Sequence, residues 1–142
     1  MKNILVIDGQ GGQMGSQIIK EMSSQLNDIR ITAVGTNATA AANMLKAGAH
    51  QAATGENPVV VACRKADVII GPIGIVIADS LLGEVTPKMA AAVGQSEAVR
   101  ILIPVNRCDN LVAGVQNAPL SVFLQDAVEK LRSVLENKGV AE

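Results

Sequence analysis

Ile4-Leu5-Val6-Ile7-Asp8-Gly9-Gln10-Gly11-Gly12-Gln13-Met14-Gly15-Ser16-Gln17-Ile18-Ile19 is the stretch whose reading decides the fold. Four aliphatic residues run without a break, as in a buried strand. Four glycines then fall within seven positions. Met14, Ile18, Met22 and Leu26 repeat every fourth residue and define one face of a helix. Strand, glycine-rich turn and helix together make a geometry suited to phosphate. Glycine lets the backbone turn tightly and approach a ligand, and a helix start offers unpaired N–H groups with a partial positive charge.

Working outward, the same alternation continues. Ile29 to Gly35 reads as a second strand ending in Gly35-Thr36-Asn37, at a distance from the first that suits a right-handed βαβ unit. A helix is predicted from about Ala38 to Ala47, with Gly48 as its C-cap. His50 to Thr54 is a short third strand. Asn57 is predicted to cap the next helix, with Pro58 at its first position. Asp67 to Pro72 reads as a fourth strand buried on both faces. A helix is predicted over Ile73 to Leu82, ended by Gly83, and another opens at Thr86-Pro87 and stops near Gly94. Val99 to Val105 is a fifth strand and Leu111 to Val115 a sixth. Phe123, Ala127, Leu131 and Leu135 form the seam of a last helix.

Strands alternating with helices predict an α/β fold: a Rossmann-like open parallel sheet with helices on both faces, three layers in all, as one domain over residues 1–142. Ligands of such sheets bind beyond the carboxyl ends of the strands, where strand order reverses. The unusual residues fall at those ends: Asp8 to Gly15, Gly35 to Asn37, Gly71 to Gly74, and Asn106 to Cys108.

Composition narrows the function classes. A net charge of −1 leaves no basic stripe for nucleic acid. Phe123 is the only aromatic residue, so a stacking platform for single strands is missing. The most apolar run, Val68 to Ala78, is broken by Gly71, Pro72 and Gly74, so no membrane span is expected. Two cysteines, Cys63 and Cys108, and the absence of a signal-peptide pattern lead to the expectation of a reducing, cytoplasmic setting. The apolar stretch Ile69 to Leu82 divides between burial in the sheet layer and packing against a second subunit, so a homodimer is expected.

The turn parses as Gly9-x-x-Gly12-x-x-Gly15 or as Gly9-x-Gly11-x-x-x-Gly15. Neither is the strict dinucleotide fingerprint, because Met14 holds its third glycine position, and no Lys-Ser/Thr pair follows as in a phosphate loop. The acid that usually holds the ribose at the end of the second strand is replaced here by Thr36-Asn37, and no Arg stands beside them. Asp8 is expected to hydrogen-bond its own turn. Glu56 and Asn57 suit helix capping better than catalysis. Asp79 and Glu84 suit a solvated or capping role better than acid/base work. Arg107 suits pairing with a phosphate or carboxylate. Cys108 is a candidate nucleophile only if its pKa is lowered, and His50 is the one histidine a triad could use. The residues show no zinc-ligand spacing.

Two resemblances follow from these residues. Gly9-Gln10-Gly11-Gly12-Gln13-Met14-Gly15 with Gln17-Ile18-Ile19 resembles the cofactor turn of dihydrodipicolinate reductases, over about Asn3 to Leu26. That likeness implies a nucleotide-binding turn; the second domain of those enzymes, with its His- and Lys-bearing motif, has no counterpart. Ile7 to Gly12, Gly35-Thr36-Asn37-Ala38, Met44 to Ala49 and Ala53 to Asn57 resemble a family of small bacterial proteins known as a domain of unknown function. Ile70-Gly71-Pro72-Ile73, Gly83 to Met89 and Ile103 to Cys108 complete that match. It implies no activity.

The expected site has the backbone N–H groups of Gly9, Gln10, Gly11, Gly12, Gln13, Met14 and Gly15 on phosphate, and Thr36 and Asn37 on a ribose. Gly71 and Pro72 lie under the ligand, and Asn106 and Arg107 close the far side. The expected ligand is a small phosphorylated molecule or nucleotide, with NAD(P) one possibility. Two functions stay open: a non-catalytic binding or sensing protein, or an NAD(P)-linked oxidoreductase completed by a partner. Gly12→Asp is expected to abolish binding and leave the fold intact.

Overall fold

The computed structural model describes residues 1–105 and 110–136. Five strands form one parallel sheet: β1 (Lys2–Asp8), β2 (Ile29–Gly35), β3 (Gln51–Thr54), β4 (Val68–Pro72) and β5 (Val99–Ile103), in the order β3-β2-β1-β4-β5. Five α-helices join them or follow them: α1 (Gln13–Gln25), α2 (Ala38–Lys46), α3 (Glu56–Lys65), α4 (Pro87–Gln95) and α5 (Leu120–Leu135).

The two-residue period of β1 sorts its side chains between two cores. Ile4 and Val6 pack with Ile18, Ile19 and Met22 of α1, Met44 of α2, and Leu124, Val128 and Leu131 of α5. Leu5 and Ile7 pack on the other face with Val59 and Cys63 of α3 and Met89 and Val93 of α4. The sheet is therefore covered on both sides, which is why its central strands read as unbroken aliphatic runs. Each such side chain, once buried, contributes roughly 1.5–3 kcal/mol. This is the expected Rossmann-like three-layer fold.

β1 pairs with β2 along its whole length, from Lys2 opposite Ile29 to Asp8 opposite Gly35. On its other side it pairs with β4, Ile4 to Val6 opposite Val68 to Ile70. The chain leaves β1 toward β2 and leaves β4 toward β5, so the direction of connection reverses between β1 and β4. The glycine turn lies at that switch point.

Local structure departs from expectation in four places. The helix of 56–65 starts one residue before Asn57, with Gly55 as its cap and no side-chain cap bond. Gly55 takes φ +106 there and donates its N–H to the Gly35 carbonyl, so the end of β2 sets this helix start. Residues 73–82 are not an α-helix. A 3-10 turn spans Ile73–Val76, and the chain then makes tight turns with Asp79, Leu81 and Leu82 all at positive φ. The apolar pattern there reflects two inward side chains, Ile75 and Leu81, and leaves Leu82 96% exposed. β5 ends at Ile103, where the Val105 N–H folds back to the Ile103 carbonyl. Leu111 to Val115 forms no strand; a turn closes from the Val115 N–H to the Val112 carbonyl.

Ile69, Ile70, Ile75 and Leu81 are all buried within the chain itself, so its own core accounts for most of that apolar stretch. Among the described residues no helix is long and apolar enough to cross a membrane.

Candidate functional site

Asp8 organises the turn. It is 5% exposed, yet both carboxylate oxygens are used: Oδ1 accepts from the Gly9 N–H and Oδ2 from the Gly15 N–H, each at 2.8 Å. The side chain thus ties the end of β1 to the first turn of α1. Burial pushes the Asp8 pKa up. The Gly15 and Gly9 N–H groups pull it down and nearby Glu84 raises it further, leaving it above the ordinary aspartate value.

The remaining polar groups of the turn are distributed among three segments. The Gly12 N–H donates to the Gly9 carbonyl at 2.9 Å. The side-chain amide of Asn37 donates to the Gln10 carbonyl and that of Asn43 to the Gly11 carbonyl, both at 2.8 Å. The Gln10 N–H donates to Glu84 Oε1 at 2.9 Å. The N–H groups of Gly11, Gln13 and Met14 carry no hydrogen bond among the described residues. They stand at the start of α1, where the helix dipole favours an anion.

The glycines are not equivalent. A Cβ on Gly9 would lie 2.5 Å from Thr36 Oγ1, and one on Gly15 would lie 2.6 Å from Met44 Sδ. Gly12 has φ +70, and a Cβ there would come within 2.8 Å of Ala40 Cα. These three are glycine because α1, α2 and the end of β2 crowd against the turn. Gly11 meets nothing closer than Gln13 Cγ at 3.9 Å. Packing gives it no reason to be glycine. It also follows that Gly12→Asp would strain the fold, contrary to the expectation drawn from sequence; Gly11 is the position that separates binding from folding.

Gly71 has a similar correction. A Cβ there would sit 2.5 Å from the Ile7 carbonyl oxygen and 2.8 Å from Ile75 Cδ1. Its missing side chain makes room for β1 and the 3-10 turn, not for a ligand, and both Gly71 and Pro72 are buried.

Thr36 and Asn37 are already engaged. Thr36 Oγ1 and Asn37 Nδ2 both donate to Glu84 Oε1, each at 2.7 Å. Asn37 Oδ1 caps α2 by accepting from the Ala40 N–H at 2.8 Å. Glu84, expected to be solvated or to cap a helix, is instead the clasp across the top of β1 and β2. Its burial pushes its pKa up, but the bonds from Thr36, the Gln10 N–H and Asn37 outweigh that and hold it below the ordinary glutamate value. Leu81, on the same loop, has its Cδ1 2.9 Å from where a Gly9 Cβ would lie. Neither Glu84 nor Asn43 could be assigned to the turn from sequence, because neither stands next to it in the chain.

Other sequence candidates lie elsewhere. His50 Nδ1 accepts from the Ile31 N–H at 3.0 Å, near the start of β2 and so at the opposite end of the sheet from the turn. Cys63 is buried in α3, and desolvation pushes its pKa to about 11. Glu56 accepts from Thr86 Oγ1 at 2.6 Å and joins α3 to the start of α4. Asn106, Arg107 and Cys108 lie outside the described residues. A cavity of about 1150 Å³ runs between β5, residues 112–118 and α5, with no residue of the turn in its lining. A smaller open hollow of about 510 Å³ is lined by Gly11, Gln13, Ser16, Lys20, Asn43 and Lys46, directly beside the unpaired N–H groups. That hollow is where the glycine turn and the unpaired N–H groups at the start of α1 meet. Among the described residues no group of three or more His, Cys, Asp or Glu is placed to hold a metal ion.

Sheet order and turn together define a Rossmann-like α/β protein with its glycine-rich connection at the switch point. Residues 3–136 match the model of the family described as Domain of unknown function (DUF3842), and the chain belongs to that family. No curated protein matches it. Among solved structures it is similar to a dodecameric FMN-dependent Ubix-like decarboxylase from Escherichia coli (12% identity, TM-score 0.45, covering 100% of this chain and 96% of that one). It is also similar to an FtsZ mutant from M. jannaschii (15% identity, TM-score 0.41, 94% and 55% covered). A third is the plantazolicin methyltransferase BamL in complex with a triazolic desmethylPZN analog and SAH (12% identity, TM-score 0.41, 99% and 71% covered).

Proposed function

We propose that this protein binds a nucleotide or dinucleotide at the Gly9 to Gly15 turn and acts as a non-catalytic binding or sensing protein. One observation carries the reading: at the switch point, Gly11 is a glycine that no internal contact requires, beside three N–H groups without partners at the start of α1. A phosphate fits that combination, because it needs close approach to the backbone and several donors at once. Lys20 and Lys46 border the same hollow and favour an anion there.

The sensing role is preferred over catalysis on the placement of the reactive groups. Asp8 spends both oxygens on the turn, His50 serves β2 at the far end of the sheet, and Cys63 of α3 is buried in the second core. The test is calorimetric titration of the purified protein with NAD(H), NADP(H), ATP and GTP, repeated on Gly11→Asp. A carboxylate at position 11 faces the phosphate site, so binding should fall by at least tenfold while the melting temperature holds. Undiminished binding by Gly11→Asp would rule out this site. Turnover of a bound NAD(P)H by the wild type would instead move the reading to an oxidoreductase.

A further inference from the structure

A ribose at the end of β2 is ordinarily held by an acid about 20 residues beyond the glycine turn. Here that place holds Thr36 and Asn37, whose polar groups are committed to the chain itself. The structure brings an acid to the same spot from elsewhere. Glu84 reaches across from the loop after β4, and its Oε1 accepts three hydrogen bonds, from the Gln10 N–H, Thr36 Oγ1 and Asn37 Nδ2. Three donors on one oxygen fix the direction of the whole carboxylate. The second oxygen, Oε2, has no hydrogen-bond partner among the described residues and is not ion-paired there.

The loop that delivers Glu84 is strained. Asp79, Leu81 and Leu82 lie in the left-handed region, at φ 66, 54 and 56, and Leu82 is fully exposed while it does so. Such conformations persist only where the surroundings hold them. Leu81 buried over Gly9, the Ser80 hydroxyl on the Gly74 carbonyl, and the Asp79 N–H on the Val85 carbonyl at 2.7 Å anchor the loop in this shape. The result is an oriented acceptor beside the first residues of the phosphate-binding turn.

We propose that Glu84 sets the ligand specificity of this site: its free oxygen accepts the 2′,3′-hydroxyls of an unphosphorylated ribose and repels a 2′-phosphate. The inference rests on the nucleotide-binding reading above and narrows it to ribonucleotides with a free vicinal diol, NAD rather than NADP. None of the residues that donate to Glu84 is a cation, so none of them offsets the repulsion between its carboxylate and a 2′-phosphate.

The test compares NAD, NADP and 2′-deoxy-NAD by calorimetry on the wild type, Glu84→Gln and Gly11→Asp. The glutamine keeps one carbonyl oxygen for the three donors and loses the charge and the second acceptor, so the fold should hold. The wild type should prefer NAD over NADP by at least tenfold, and over 2′-deoxy-NAD by several-fold. In Glu84→Gln both ratios should collapse toward one. If the wild type binds NAD and NADP alike, or if the variant keeps the wild-type ratios, the proposal is overturned, although the turn stands provided Gly11→Asp abolishes binding. A variant that binds all three ligands more tightly by the same factor also overturns it, and makes Glu84 an internal plug. If the wild type binds none of them, this proposal falls, and the nucleotide-binding reading stands or falls separately on the ATP and GTP titrations.

Discussion

Replacing Gly11 and Gly12, neighbours in one turn, by alanine should have opposite effects on stability. At Gly12 the backbone is left-handed, at φ 70 and ψ 19. An L-residue there costs roughly 1–2 kcal/mol. The new Cβ would also stand 2.8 Å from Ala40 Cα and 2.9 Å from the Ala40 carbonyl oxygen. Both are backbone atoms of α2 and cannot rotate away, so relief needs α1 and α2 to separate, at roughly 1–3 kcal/mol for overpacking. The sum is about 2–5 kcal/mol of destabilisation. At Gly11 the nearest atom to a new Cβ is 3.9 Å away, and φ is not positive. Alanine there restricts the unfolded chain at no native cost and stabilises by about 0.4–1 kcal/mol. Urea unfolding of the two variants, with slopes compared to confirm an unchanged unfolding transition, measures both numbers. For a chain of this length the Gly12→Ala melting temperature should fall by roughly 3–4 °C per kcal/mol lost. Equal destabilisation by the two variants, or a larger loss at Gly11, would refute the assignment of Gly12 to packing and of Gly11 to ligand approach.

Asp8 and Glu84 should shift in opposite directions, Asp8 above its ordinary value and Glu84 below its own, and carbon-detected NMR of the carboxyl groups reads both. The linkage signs are opposite: Glu84 contributes stability above its unfolded pKa that is lost as pH falls through its lower folded value, whereas the burial penalty on ionised Asp8 is relieved as pH falls through its raised folded value. Acid unfolding of Glu84→Gln should therefore lose the part of the pH dependence that destabilises the wild type in acid; an unchanged profile would contradict the clasp. Cys63, with its thiol pushed up to about 11, should stay silent toward a thiol reagent at pH 8 in a native Cys108→Ser variant and react once in urea. Leu82→Gly should stabilise by about 1 kcal/mol, since an exposed left-handed leucine bears a conformational cost with no burial to offset it; a loss of stability by thermal melting would show an unrecognised contact.

The sheet was legible in the sequence because β1 and β4 carry aliphatic runs closed by Gly or Pro, β2 alternates and ends in Gly35, and Thr86-Pro87 is a cap that acts locally. The turn was legible for the same reason. The errors share a cause: they fall where distant contacts decide. Residues 73–82 have a helix-compatible apolar pattern, but Leu81 is drawn over Gly9 and Ser80 back to Gly74, so the backbone folds into turns. Asn57 lost the cap to Gly55 because the Gly35 carbonyl, 20 residues earlier, takes the Gly55 N–H. The role of Glu84 could not be read from any local spacing, since its three donors lie 74, 48 and 47 residues away.

That separation has a consequence for the order in which the molecule takes shape. β1, α1, β2, α2 and β3 lie within the first 54 residues, and β1 pairs with β2 and β2 with β3 inside that segment. Contacts between near neighbours close small loops and form early, while distant ones wait for larger closures. During synthesis the glycine turn and the capped start of α2 can therefore exist before residue 84 has been added. What such a half-made chain lacks is β4, the second core and the Glu84 clasp. The groove proposed to receive a ligand is synthesised first, and the residue proposed to choose among ligands arrives only with the second half of the sheet.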